Sequence, residues 1–174
     1  MTHSSPDYVV RPALAHELAA LAEIERDAGQ RFATVPELAG IPEVAVPPGA
    51  LAAALARGQV WVATVAATIV GFAYAEILDG AVHLEELDVS SAWGRRGIGR
   101  ALVEAVVADA RRRGLPAVTL STFRDVPWNA PFYARLGFRV LERAMLTPGL
   151  AALAAHEARR GLPEALRVVM RREV

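Results

Sequence analysis

Apolar and polar positions follow two periods along the chain. Residues 8–11 form a short β-prone run closed by Pro12. Leu14, Leu18, Leu21, Ile24 and Glu25 then recur at helical spacing, which predicts an amphipathic helix over 13–27 with a stop at Gly29. Pro36, Pro42, Pro47 and Pro48 forbid one helix across 34–49, so this stretch reads as a loop with a helical turn. A short helix over 50–57 ends at Gly58. Runs rich in Val, Ile, Thr and aromatic residues predict strands at 60–66, 68–77 and 81–89. Tight turns at Ala66 and Ala67 and at Asp79-Gly80 join them into an antiparallel meander.

A glycine-rich turn at 93–99 opens a long helix over 98–113. Leu102, Val103, Val106, Val107 and Ala110 form its apolar face, Arg111, Arg112 and Arg113 crowd its last turn, and Gly114 ends it. A short apolar strand follows at 115–121. The stretch from 81 to 121 thus reads strand, turn, helix, strand, as in a βαβ unit. The remaining pattern predicts a helix at 128–136, a strand at 138–141, a helix at 147–160 and a last strand at 165–172. No repeat or linker divides the chain. One α/β domain over 1–174 is expected, with 1–7 flexible.

Composition narrows the chemistry. The 19 basic residues, all Arg, balance 19 acidic ones, and Cys is absent. Without Lys there is no Schiff-base chemistry and no P-loop lysine. Without Cys there is no disulfide, thiolate nucleophile or Cys-ligated metal. No convincing metal spacing of His or carboxylates appears. A neutral total argues against a nucleic-acid partner. No apolar run approaches the roughly 20 residues of a spanning helix, and no basic segment precedes an apolar one at the N-terminus. A cytoplasmic protein without a membrane partner is expected.

The segment from Glu86 to Leu102 carries the strongest chemical signal. A strand runs into Trp93-Gly94-Arg95-Arg96-Gly97-Ile98-Gly99-Arg100, and this turn opens a helix. Backbone N–H groups of the turn and of the first helical turn converge there, and the helix dipole adds positive potential, so the turn is an anion cradle. Between Gly94 and Arg113 six Arg stand against Glu104 and Asp109, a local charge of +4. The dinucleotide fingerprint fails because Leu102 stands where a third Gly or Ala is needed.

A second segment, Trp128-Asn129-Ala130-Pro131-Phe132-Tyr133-Ala134-Arg135-Leu136-Gly137-Phe138, follows the next strand. The glycine turn resembles the Arg/Gln-x-x-Gly-x-Gly/Ala motif of the GNAT family, the acyl-CoA-dependent N-acetyltransferases. Phe132 to Phe138 resembles that family's Phe-Tyr-x-x-x-Gly-Phe motif, and the element order fits as well. Two positions depart from the pattern. Gly94 replaces the first Arg or Gln, and Asn129 lies only four residues before Tyr133. A helical segment over 147–162 is an insertion before the last strand.

The resemblance implies a GNAT fold: a mixed, mostly antiparallel sheet of about seven strands, flanked by helices and splayed between the fourth and fifth. It implies acetyl-CoA as co-substrate and no metal. Backbone groups of Leu87, Asp88 and Val89 would hold the pantetheine arm. Gly94, Arg95, Arg96, Gly97, Ile98, Gly99 and Arg100 would hold the diphosphate, with Asn129 beside them. Tyr133 matches the general acid toward the departing thiolate. For the base, period-two alternation puts His83 and Glu85 on one face with Leu87 and Val89, and Leu84, Glu86 and Asp88 on the other. His83 and Glu85 occupy positions where members carry a catalytic carboxylate, and a bulge would bring Glu86 inward instead. Trp128, Glu37 and Glu43 are candidates for the acceptor side.

The activity implied is direct N-acetyl transfer to a primary amine of a small molecule or peptide. Another acyl donor, an O-acceptor, or a non-catalytic acyl-CoA-binding module on the same fold remain alternatives. A homodimer is left open.

Overall fold

The computed structural model describes residues 7–41 and 45–174. Seven strands form one sheet in the order β1-β2-β3-β4-β5-β7-β6. They are β1 (Val9–Pro12), β2 (Val60–Val65), β3 (Thr68–Leu78), β4 (Ala81–Val89), β5 (Ala117–Phe123), β6 (Arg139–Val140) and β7 (Arg167–Glu173). All neighbours are antiparallel except β4 and β5. The helices are α1 (Leu18–Gly29), α2 (Pro48–Ala56), α3 (Ile98–Arg112), α4 (Ala130–Arg135) and α5 (Pro148–Arg159). This is the mixed, mostly antiparallel sheet expected.

Both faces of the sheet are covered, which explains why the central strands read as nearly continuous apolar runs. On β2, Trp61 and Ala63 point to one side and Val60 and Val62 to the other, following the two-residue period. Trp61 and Ala63 join Leu102, Val103, Val106 and Val107 of α3 and Ala130 and Tyr133 of α4. Val60 and Val62 join Leu21 and Ile24 of α1 and Leu51 and Ala54 of α2.

Local chemistry sets several boundaries. The first helix starts with a 3-10 turn at Ala15–Glu17 and becomes α-helical only at Leu18. Glu17 causes this start, because its carboxylate accepts the Leu14 N–H at 2.8 Å and takes both arms of Arg11. Arg11 holds the Glu17 carboxyl down at about 2. A 3-10 turn at Gln30–Thr34 leads into the proline-rich stretch, which holds another at Pro36–Leu38. Pro42 and Glu43 lie outside the described residues, as do 1–6. At the C-terminus of α3, Arg112 and Arg113 clamp the fully buried Asp109, and Arg113 also donates to the Arg57 carbonyl. Two of the three clustered arginines are therefore structural.

The β3–β4 turn anchors α5. Asp79 accepts the Gly149 N–H at 2.7 Å, and its carboxyl lies below the usual range beside the Thr147 hydroxyl and the first N–H groups of α5. A side chain some 70 residues upstream thus caps this helix, satisfying donors that its own first turn leaves unpaired.

Candidate active site

The site begins where β4 and β5 separate. They pair only at Val82, His83 and Leu84 against Val118, Thr119 and Leu120. Beyond Leu84, β4 keeps its pairing with β3 but has no partner on the β5 side. The bare edge from Glu85 to Val89 opens into a cleft of about 1280 Å3. The splay between the fourth and fifth strands is thus present.

A bulge sits at the point of divergence. Tyr74 faces Glu86 across the β3–β4 ladder, but the next residue, Ala75, faces Leu84. Glu85 is the extra residue. The even alternation expected along 83–89 is therefore wrong. Leu84 shares the α3 side with Leu87 and Val89, while Glu86 and Asp88 stand on the α1 side opposite Tyr74 and Phe72. Gly71 permits the close approach here, since a Cβ on it would lie 2.8 Å from the Asp88 carbonyl oxygen.

The glycine turn borders the same cleft. Gly97 occupies the N-cap position of α3 at φ +84°, and Arg95 also has a positive φ of 60°. The N–H groups of Ile98, Gly99 and Arg100 open the helix with no intrahelical acceptor, so they are available to an anion. Gly94, Arg95, Gly97, Ile98, Gly99 and Arg100 line the cleft, as do Leu87, Asp88 and Val89. Arg96 does not; its guanidinium lies 4.6 Å over the Trp93 ring. Gly99 sits in helical backbone. A Cβ there would meet Phe132 Cζ at an ordinary 3.5 Å.

Asn129 also lines the cleft. Its Nδ2 donates to Thr122 Oγ1 at 2.7 Å, and its buried Oδ1 has no partner among the described residues. A bare strand edge, a turn of free N–H groups and an unpaired amide oxygen suit an extended ligand with amide groups and a diphosphate, as coenzyme A is.

Tyr133 is buried, with its ring edge-on to Phe132 and Phe138 at 5.0 and 5.7 Å. Its hydroxyl makes no hydrogen bond among the described residues. Burial raises its pKa above the ordinary value, and the charges of Glu86 and Asp88 raise it further. The hydroxyl therefore keeps its proton.

The acidic groups of β4 divide by environment. Burial, then the charges of Glu76 and Glu157, push Glu85 up to about 7. Burial and the charge of Glu25 push Glu86 up to about 7, against Arg167 and the Leu87 N–H. Burial, Glu86 and Glu25 raise Asp88 well above the carboxylate range. All three line the cleft. His83 does not. It is 1 % exposed, its Nδ1 lies 2.8 Å from Thr119 Oγ1, and burial with the charge of Arg167 holds it at about 4. It is a neutral histidine in the paired part of β4, one rung before the last.

Several lining residues carried no signal in the sequence. Arg167 of β7 holds Glu157 of α5 at 2.8 Å, donates to Ser121 Oγ of β5 at 3.1 Å and lies 4.9 Å over the Phe123 ring. Glu25 reads in the sequence as one more member of a helical stripe, yet it faces the cleft and accepts the Val46 N–H at 2.6 Å. These groups come from elements far apart in sequence, and only the fold brings them together. Glu37 does not line the cleft, whereas Trp128 does.

The fold is that of an acyltransferase family. Residues 56–140 match the model of the acetyltransferase (GNAT) domain family. Residues 56–140 therefore form a GNAT acetyltransferase domain, and the whole chain has the GNAT fold. Solved structures of similar fold include PaiA N-acetyltransferase from Thermoplasma acidophilum in complex with coenzyme A (16% identity, TM-score 0.68, 96% of this chain and 99% of that one). Rv2747 from Mycobacterium tuberculosis in complex with CoA is also similar (21% identity, TM-score 0.70, 95% and 99%). So is the ribosomal-protein-S18-alanine N-acetyltransferase from Escherichia coli (17% identity, TM-score 0.67, 96% and 94%). Among the described residues, no group of acidic or imidazole side chains could hold a metal ion, and no helix is long and apolar enough to cross a membrane.

Proposed function

We propose that the chain is an acetyl-CoA-dependent N-acetyltransferase acting on a primary amine. One observation carries this reading: a raised carboxyl, Glu86, and a protonated phenol, Tyr133, face one cleft beside the glycine turn, and the Glu86 charge helps keep the phenol protonated.

The residues divide the work as follows. The turn at Gly94–Arg100 and the helix dipole of α3 hold a diphosphate, and the bare edge of β4 holds amide groups of a pantetheine arm. Acetyl-CoA, when bound, supplies an activated acetyl thioester. Glu86 takes a proton from the acceptor ammonium, since a carboxylate that titrates near neutrality is both ionised and basic enough for this role. Glu85 lines the same cleft but adds no charge effect at Tyr133, so Glu86 is the better base. The Tyr133 hydroxyl holds the proton that a departing thiolate needs. The carboxyl of Asp88 is raised by burial and by the neighbouring Glu86 charge.

The test is coenzyme A release from acetyl-CoA across an amine panel, with a thermal shift run in parallel. Coenzyme A at a hundred times its dissociation constant should add about 2.7 kcal/mol of stability. Absence of any shift at millimolar coenzyme A would overturn the co-substrate assignment. A shift without thiol release from any amine would point to a binding module.

A further inference from the structure

The acceptor half of the cleft is electrically two-sided. Glu25 of α1 and Glu86 and Asp88 of β4 supply acids. Arg31, from the 3-10 turn after α1, and Arg160, at the end of α5, supply cations. The charge of Arg167 is already met by Glu157 and Ser121. Arg31 is different. Its guanidinium lies 4.5 Å over the Trp128 ring and makes no ion pair among the described residues. Trp128 contacts Phe32 at 5.9 Å between ring centroids, and its Nε1 is buried without a hydrogen-bond partner. A desolvated N–H donor left unpaired is unfavourable, and an oxygen acceptor that reaches it removes that cost. An unpaired guanidinium stacked on the same indole adds the charge that makes this oxygen anionic.

Resting on the acetyltransferase reading above, we propose that the acceptor is a small amine that also carries a carboxylate, with the carboxylate taken by Arg31 and the Trp128 N–H and the amine presented to Glu86. A dipolar cleft matches a dipolar ligand. A polyamine would suit the acids of α1 and β4 but would leave Arg31 and the indole N–H unmatched.

Two measurements test this. In protein labelled with 15N-tryptophan, the indole N–H signal of Trp128 is assigned by its loss in Trp128→Phe. Titration with L-lysine and γ-aminobutyrate should move that signal, whereas their decarboxylated counterparts, cadaverine and n-propylamine, should not. In thiol-release assays each carboxylated amine should exceed its counterpart by at least about tenfold in kcat/KM. Arg31→Met and Trp128→Phe should collapse that ratio through KM, and Arg31→Lys should restore part of it. Equal turnover of cadaverine and lysine, a ratio that survives both variants, or an unmoved Trp128 signal overturns the proposal. The NMR arm needs no turnover. A moved signal without thiol release would sink the acetyltransferase reading and leave only the capture of a carboxylated amine by Arg31 and Trp128.

Discussion

Glu86 stands opposite Tyr74 across the β3–β4 ladder, while the neighbouring Glu85 has no partner there. That one-residue slip turns Glu86 and Asp88 toward α1 and Glu25, and gathers the acids at the point where β4 leaves β5. Burial together with like charges then raises their carboxyl pKa values, which suits a group that must accept a proton near neutral pH.

Glu86→Gln should lower kcat/KM by about 100-fold or more, the usual scale for loss of a general base. In the wild type, kcat/KM should rise through about pH 7 as Glu86 ionises. Glu85→Gln should keep that profile. The reverse pattern, with the profile lost in Glu85→Gln and kept in Glu86→Gln, would transfer the role to Glu85.

Stability should run against activity at this position. The folded Glu86 carboxyl titrates at about 7, above its ordinary 4.5. Between those values the unfolded chain has lost a proton that the folded chain keeps, so stability falls as pH rises through about 7. Glu86→Gln should therefore be more stable than wild type above that pH, by on the order of 1–2 kcal/mol, and nearly equal to it under acid conditions. Urea titrations at both ends of the range check this, and a variant destabilised at high pH would contradict it.

Tyr133→Phe should lower kcat by about 10- to 1000-fold while coenzyme A affinity stays nearly unchanged. The ring contacts with Phe132 and Phe138 survive this change, so folding should persist. Unaltered turnover would remove Tyr133 from the acid role.

Gly97→Ala should weaken coenzyme A binding by about tenfold or more, because φ +84° costs a side chain about 1–2 kcal/mol and distorts the cradle. A Cβ there would also meet the Tyr8 hydroxyl at 3.3 Å. Gly94→Ala is the control, since its Cβ would lie an ordinary 3.6 Å from the Ser91 carbonyl oxygen. Calorimetric titration of both variants separates cradle geometry from the mere loss of glycine.

Asp109→Asn should cost about 2–4 kcal/mol of stability, because it leaves Arg112 and Arg113 without the buried carboxylate they clamp. Coenzyme A affinity of the folded variant should not change. A large loss of affinity with intact stability would instead make the arginine cluster part of the binding surface.

Local chemistry made much of this legible in the chain itself. The glycine turn and the Phe132–Phe138 segment are each contiguous, so their spacing carries the resemblance to the family and names candidates for the cradle and the acid. Helical and strand periods place α3 and the β2–β4 meander to within a few residues, because each rests on interactions between near neighbours. The open edge of β4 was also within reach, once the resemblance supplied the splay.

What tertiary structure alone decided is which β4 side chain enters the cleft and what surrounds it. A bulge is a property of two strands and not of one, so no reading of 83–89 by itself could place Glu86 on the α1 side and withdraw His83 into a buried rung. Arg167, Glu157, Ser121, Glu25 and Arg31 come from five separate elements. Their electrostatics depends on distances that folding sets, and on burial that makes those distances count.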